Sequence, residues 1–261
     1  MTIEVPRITD MLDKMGKVQA HIEGETRAIK EWRQEYLEEL SKNKDATPIQ
    51  VFNRFVSDLL MRAMSGEIGL RRNDAFKKAF KRYEDVTDAC VRQVLKSTGY
   101  RFPAPGLEVV RAAKDIVTEK GFSWKFYFKK AERNFEDDFP EDKFLKKIKY
   151  VSFKTRDLAL SAFSNRFVAI DVHIARITLR TGLFVSGYGD PDISTDYRGT
   201  KGYLFLHKLL LKLSKETGWP GKGYSPGEID RTFWHFGRTV CESNPKCSIC
   251  PVSGTCMTAS A

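Results

Sequence analysis

The sequence predicts an all-α protein, on three observations. Apolar residues recur at helical i, i+3, i+4 spacing, glycines punctuate the periodic segments, and no convincing run alternates apolar with polar residues as a half-buried strand would. The stretch up to Asn43 is charged and helical in pattern, with few large apolar residues before Trp32. Thr47-Pro48-Ile49-Gln50 reads as a capping-box start with proline at the first helical position. Phe52, Phe55, Val56, Leu59, Leu60 and Met64 then form one apolar stripe, and Gly66 reads as its close. Residues 86–98 form the next helix, ended by Gly99. Residues 106–119 follow, carrying Leu107, Val110, Ala113, Ile116 and Val117 and ended by Gly121. Helices are also expected over 141–149, 154–164 and 172–182. Loops are expected at 99–106 and at 185–202, the second rich in Gly, Asp and Tyr and expected to be mobile.

Composition narrows the partners. With 44 Lys+Arg against 34 Asp+Glu, the 261-residue chain carries a net charge of +10. That balance favours a polyanion, nucleic acid first and an anionic membrane surface second, over a merely basic soluble protein. The basic residues recur as short clusters at 77–82, 129–133 and 143–149 rather than in one tail. Clusters spread over folded elements suit a surface that tracks a nucleic-acid backbone. No apolar run reaches the length of a membrane span, and the N-terminus is polar, so an intracellular, reducing location is expected.

Four of the five cysteines, Cys241, Cys247, Cys250 and Cys256, crowd the last 21 residues, separated by five, two and five residues. In a reducing location a disulfide framework is disfavoured, and Cys247 and Cys250 are too close in sequence for a comfortable bridge. Tetrahedral zinc usually pairs two short C-x2–4-C arms, whereas only one short arm exists here. A compact loop of four thiolates suits a cuboidal [4Fe–4S] cluster first, zinc second, and unligated thiols third. Cys90, on a helical pattern, reads as a small buried apolar residue.

Two other residues stand out. Lys154 opens a helix in YVSFKTRDLALSAF, where the positive end of the helix dipole disfavours the ammonium and favours the neutral amine of a nucleophile. Its ordinary reading is a solvated lysine. Asp171, in FVAIDVHIARITLR, has the ordinary reading of a helix N-cap and the sharper one of a carboxylate near a reacting amine. His173 beside it reads as a structural hydrogen-bonder.

The order of K-T, a short apolar segment, I-D-V-H-I-A-R, F-G-R-T-V-C and the four-cysteine loop resembles the endonuclease III branch of the helix-hairpin-helix DNA glycosylases. The segment 90–117 is similar to that family's pair of helices about a glycine-aromatic loop, and the resemblance spans roughly 50–182 and 231–256. It implies two helical domains flanking a DNA-binding cleft: a six-helix barrel with the hairpin over 48–165, and a cluster domain from 1–47 and 166–261. It also implies a lyase lysine at Lys154, a catalytic aspartate at Asp171 facing it across the seam, and cluster ligands at Cys241, Cys247, Cys250 and Cys256. Arg231, Arg238 and Lys246 would point towards DNA phosphates. The chain departs from the family at Tyr150 and Ser152, where the hairpin pattern L-P-G-V-G-R-K-T has glycines. The first cysteine spacing is one residue shorter than the family's, and the N-terminal extension and the 185–230 region are longer.

The implied function is a base-excision DNA glycosylase with AP-lyase activity. It would act as a monomer, cytoplasmic or nucleoid-associated, on duplex DNA carrying a damaged base or abasic site, with oxidised pyrimidines the family default. Alternatives are a monofunctional glycosylase for uracil, mismatched thymine or adenine, an 8-oxoguanine enzyme, or a non-catalytic nucleic-acid-binding protein on the same scaffold.

Overall fold

In a computed structural model of the protein, the described residues are 8–22, 24–61, 66–134, 142–183 and 200–259. Most of the loop expected over 185–202, and Met64 of the apolar stripe, lie outside them. Among the described residues the protein is helical apart from one short hairpin, and no helix is long and apolar enough to cross a membrane. The chain divides into two compact units, one of residues 1–39 with 170–261, the other of 40–169.

The first unit begins with α1 (Ile8–Gly16), which buries Ile8, Met11, Leu12 and Met15. The expected helical run to Asn43 is then interrupted. Strands β1 (Gln19–Ile22) and β2 (Glu25–Ala28) pair antiparallel, Gln19 opposite Ala28, before α2 (Ile29–Asn43) starts. Ala20 and Ile22 are buried and their neighbours exposed, an alternation too short to stand out in the sequence. The remaining helices of this unit are α10 (Val172–Arg180), α11 (Thr200–Glu216) and α12 (Pro226–Thr239). Helix α12 packs on α1, β1, α10 and α11 and is the axis of the unit. It buries Ile229, Phe233 and Phe236 completely, each contributing about 1.5–3 kcal/mol.

The second unit holds α3 (Pro48–Leu59), α4 (Gly66–Ala79), α5 (Asp88–Ser97), α6 (Pro103–Thr118), α7 (Trp124–Asn134), α8 (Lys143–Lys147) and α9 (Phe153–Ser161). At the start of α3 the Thr47 N–H donates to Gln50 Oε1 at 2.8 Å, one arm of the expected capping box. The helix ends earlier than its stripe suggested. Met61 N–H bonds back to Asp58 at i−3, tightening the last turn, and Gly66 opens α4 instead of closing α3. Pro103 likewise draws part of the expected 99–106 loop into the first turn of α6. Helix α3 packs against α4, α6 and α9. An aromatic core joins α3 to α7 and α8, with the Phe55 ring 4.8 Å from Phe144 and 5.1 Å from Trp124. Helix α7, whose Trp124, Tyr127 and Phe128 enter this cluster, was not expected as a separate element.

Candidate active site and cysteine loop

Helices α8 and α9 form a hairpin, and one buried carboxylate holds it. Asp142 caps α8, its Oδ1 accepting from the N–H groups of Phe144 at 2.8 Å and Leu145 at 3.3 Å. Its Oδ2 accepts from Tyr127 Oη at 2.8 Å and from the Arg156 guanidinium of α9 at 3.2 Å. Arg156 and Asp142 are sealed from solvent, at 3% and 1% exposure, and the guanidinium also pairs with buried Asp157 at 2.5 Å, so the three charges permit one another's burial. Burial, with the Asp142 charge adding to it, pushes the Tyr127 phenol well above its ordinary range, so it serves as a neutral donor.

The turn between the two helices passes through Tyr150, which has φ of +75°. That left-handed conformation is the one glycine adopts freely, and Tyr150 stands at a hairpin position where the resembling family has glycine. Among the described residues it is the one non-glycine with positive φ. The Lys149 ammonium lies 5.1 Å from the centre of the Tyr150 ring. Ser152, at the second glycine position, caps α9. Its Oγ accepts from Thr155 N–H at 3.4 Å, and its own N–H donates to Thr155 Oγ1 at 3.0 Å.

Lys154 is thereby fixed in the first turn of α9, half-buried. Among the described residues no carboxylate or hydrogen-bond acceptor engages its ammonium group. Its neighbours in sequence, Thr155, Arg156 and Asp157, are all buried, so the helix start cannot shift freely.

In the other unit Asp171 is the N-cap of α10. Its Oδ1 accepts from His173 N–H at 2.8 Å and Ile174 N–H at 3.2 Å. Both bonds fall on one oxygen, and among the described residues no group donates to Oδ2. Its ordinary role is therefore filled with half of the carboxylate uncommitted. The His173 ring packs on Gly237 of α12, where a Cβ would come within 2.8 Å of the His173 Cβ, so only glycine permits this approach. Burial, aided by the charges of Arg176 and Arg238, lowers the His173 pKa against the opposing pull of Asp171.

The same helix α10 holds the cysteine loop at its other end. Arg176 donates to the Cys241 carbonyl at 3.1 Å. Arg180, one turn on, donates to the carbonyls of Glu242 and Ser243 and approaches Cys241 Sγ at 3.6 Å. These two arginines were not singled out from the sequence, although their i, i+4 spacing in IARITLR was visible. The Cys256 thiol donates to the Arg180 carbonyl at 3.1 Å. Burial pushes the Cys241 thiol up, opposed by Arg180. Burial likewise raises Cys250, and the charges of Cys256, Cys241 and Cys247 all add to it, so the four sulfurs share one electrostatic neighbourhood. Among the described residues, however, no three Cys, His, Asp or Glu side chains converge as a single metal ion requires. Cys90 is half-buried on α5 and belongs to the second unit, whereas the other four belong to the first.

The cations expected to face phosphates are partly engaged. Lys246 is tied to the Thr239 carbonyl at 3.0 Å and to Glu242 at 2.7 Å, and Arg231 lies over the Tyr36 ring. Arg238 is exposed, with its guanidinium 4.5 Å from the Trp234 ring centre.

No family model matches the sequence, and no curated protein is a significant match to it. Solved structures do match. The 8-oxoguanine DNA glycosylase of Thermotoga maritima superposes with a TM-score of 0.58 at 18% identity, over 87% of this chain and 96% of that one. The 8-oxoguanine DNA glycosylase of Methanocaldococcus jannaschii gives 0.55 at 17%, over 87% and 92%. A trapped endonuclease III–DNA covalent intermediate gives 0.54 at 17%, over 90% and 98%. The chain shares its fold with these solved structures.

Proposed function

We propose that the protein is a DNA base-excision glycosylase with an associated AP-lyase activity, acting on duplex DNA that carries a damaged base or an abasic site. The observation that carries this reading is the unpaired Lys154 ammonium in the first turn of α9, the second helix of a hairpin, in a fold shared with glycosylases. A base inside a duplex is out of reach, so the nucleotide must be flipped out, at a cost of a few kcal/mol. The neutral Lys154 Nζ attacks C1′ of the sugar. The bond from C1′ to the base breaks, its electron pair leaves with the base, and loss of the amine proton with ring opening gives a Schiff base. Removal of a C2′ proton then expels the 3′ phosphate and nicks the strand. Asp171, through the Oδ2 that its capping bonds leave uncommitted, stabilises the positive charge developing at the sugar and accepts a proton. In this reading each of the two residues is presented by a helix start.

Cys241, Cys247, Cys250 and Cys256 would hold a [4Fe–4S] cluster. What supports it is the donor set, four cysteines within sixteen residues, with Cys250 feeling the charges of the other three; among the described residues they do not converge as a metal site. Arg180 beside Cys241 supplies positive charge against the thiolates. The group would tie down the chain's last residues and tune local charge. Iron and sulfide in freshly prepared protein, with broad absorption near roughly 400 nm, support this assignment, and one zinc without iron contradicts it.

The endonuclease-III-like sequence order supports oxidised pyrimidines as substrate. The two 8-oxoguanine glycosylases among the structural matches support 8-oxoguanine as the second reading. The test is a panel of duplexes, each with one lesion, scored separately for base release and strand cleavage. Release without cleavage on every lesion contradicts the lyase assignment, and neither on any lesion leaves a binding protein on this scaffold. An intracellular site of action follows from this reading.

A further inference from the structure

Helix α7 has an inner face that its packing explains and an outer face that it does not. Trp124, Tyr127, Phe128 and Ala131, at i, i+3, i+4 and i+7, turn inward, with Trp124 and Ala131 buried. The opposite face carries Lys125, Phe126, Lys129 and Lys130, all exposed. Phe126 is 75% exposed, the most exposed large apolar side chain among the described residues. Helical amphipathicity would put a polar residue there. Lys130 lies one turn after Phe126, about 5.4 Å along the axis.

The lysines around Phe126 differ from those on α8. Lys143 and Lys147 both grip Glu119, at 2.7 and 2.6 Å, and hold its carboxyl down at about 2. Lys125, Lys129 and Lys130 have no hydrogen-bond or ion-pair partner among the described residues. An exposed aromatic ring within three unneutralised cations repels a basic or purely apolar partner. It matches a chain that alternates flat apolar rings with negative charges.

We infer that the outer face of α7 is an accessory binding surface for unpaired nucleic acid, on which a base stacks against Phe126 while Lys125, Lys129 and Lys130 take the flanking phosphates. A ring flanked by lysines at i−1, i+3 and i+4 offers a platform to a base already out of its stack, and cannot enter an intact duplex. The surface needs no chemistry at Lys154 and stands or falls apart from it.

The experiment measures anisotropy with a labelled single strand of about 15 nucleotides and with the fully paired duplex of the same sequence. Phe126→Ala is expected to weaken the single strand roughly 5- to 100-fold with the salt slope unchanged, since stacking is the lost term, while Phe126→Trp retains binding. The triple change of Lys125, Lys129 and Lys130 to Gln is expected to flatten the single-strand salt slope by about 2. Circular dichroism and melting check that these surface variants stay folded. Wild-type single-strand affinity in Phe126→Ala overturns the inference. So does loss in that variant of binding to vesicles containing phosphatidylserine with the single strand unaffected, which would make the surface a membrane contact. Borohydride trapping on a damaged duplex reads the Lys154 chemistry separately. Absence of trapping with a Phe126-dependent single-strand affinity would remove the glycosylase reading and keep this one.

Discussion

Arg156 of α9 reaches the carboxylate that caps α8: its guanidinium donates to Asp142 Oδ2 at 3.2 Å, with both side chains sealed from solvent. One aspartate thus starts the first hairpin helix and fixes the second. Asp142→Ala strips the cap, the Tyr127 bond and one counter-charge together. It is expected to cost about 2–4 kcal/mol in chemical denaturation, while Asp157, 2.5 Å from Arg156, still neutralises the guanidinium. The double change Asp142→Leu with Arg156→Met should not recover that loss, because it takes the cation away from the sealed Asp157. A double variant as stable as the parent would show that Asp157 does not depend on Arg156.

Tyr150 holds a left-handed backbone conformation at a cost of about 1–2 kcal/mol relative to glycine. Tyr150→Gly relieves that strain but loosens the unfolded chain, so its denaturation midpoint should stay within about 1 kcal/mol of the parent. Tyr150→Val, β-branched at positive φ, should lose clearly more. Equal stability of the two variants would mean that the turn relaxes to another conformation.

How much of this was legible in the sequence depended on range. The Asp171 cap, the Gln50 arm of the box at Thr47, and the positive φ of Gly99 and Gly121 are local, and their residue types announce them. The β1–β2 hairpin was missed because four alternating residues carry too little periodicity, and packing of β1 on α12 decides it. The Asp142–Arg156 pair was missed because two charges 14 residues apart look like solvated surface until the hairpin folds. The left-handed turn at Tyr150 was hidden by its residue type, which favours the opposite conformation. At the site, motif order pointed to Lys154 and Asp171 as the proposed chemical pair, but the two arginines that grip the cysteine loop do so through carbonyls, which no side-chain pattern encodes.

His235 is buried in α12 with its ring stacked on Trp32 at 5.6 Å, and burial, with nearby Arg231 and Arg238, lowers its pKa to about 3. An unfolded imidazole takes up its proton near 6.5. Between these values the unfolded chain binds the extra proton, so stability is fully present above about pH 6.5 and falls as pH drops towards 3, by up to roughly 1.4 kcal/mol per pH unit. His235→Phe keeps the stack and removes the proton. The difference between variant and parent should therefore widen in the variant's favour from pH 6.5 to 4. A constant difference across that range would mean that His235 titrates normally.

Asp171 separates structure from chemistry. Asp171→Asn keeps an oxygen at the cap and loses the charge, so stability should change little while turnover falls roughly 100-fold or more. Asp171→Ala should lose turnover and about 1 kcal/mol of stability as well. An Asp171→Asn protein with parental turnover would leave Asp171 as a cap alone.

The central claim is that the Lys154 amine is the nucleophile, and borohydride trapping tests it most directly. Added during turnover on a damaged duplex, borohydride should reduce the Schiff base and leave protein covalently bound to DNA. Lys154→Ala should abolish that adduct while duplex affinity, carried by many phosphate contacts, stays within a few-fold of the parent. A Lys154→Ala protein that still traps would contradict the account and move the amine to another lysine or to the N-terminus.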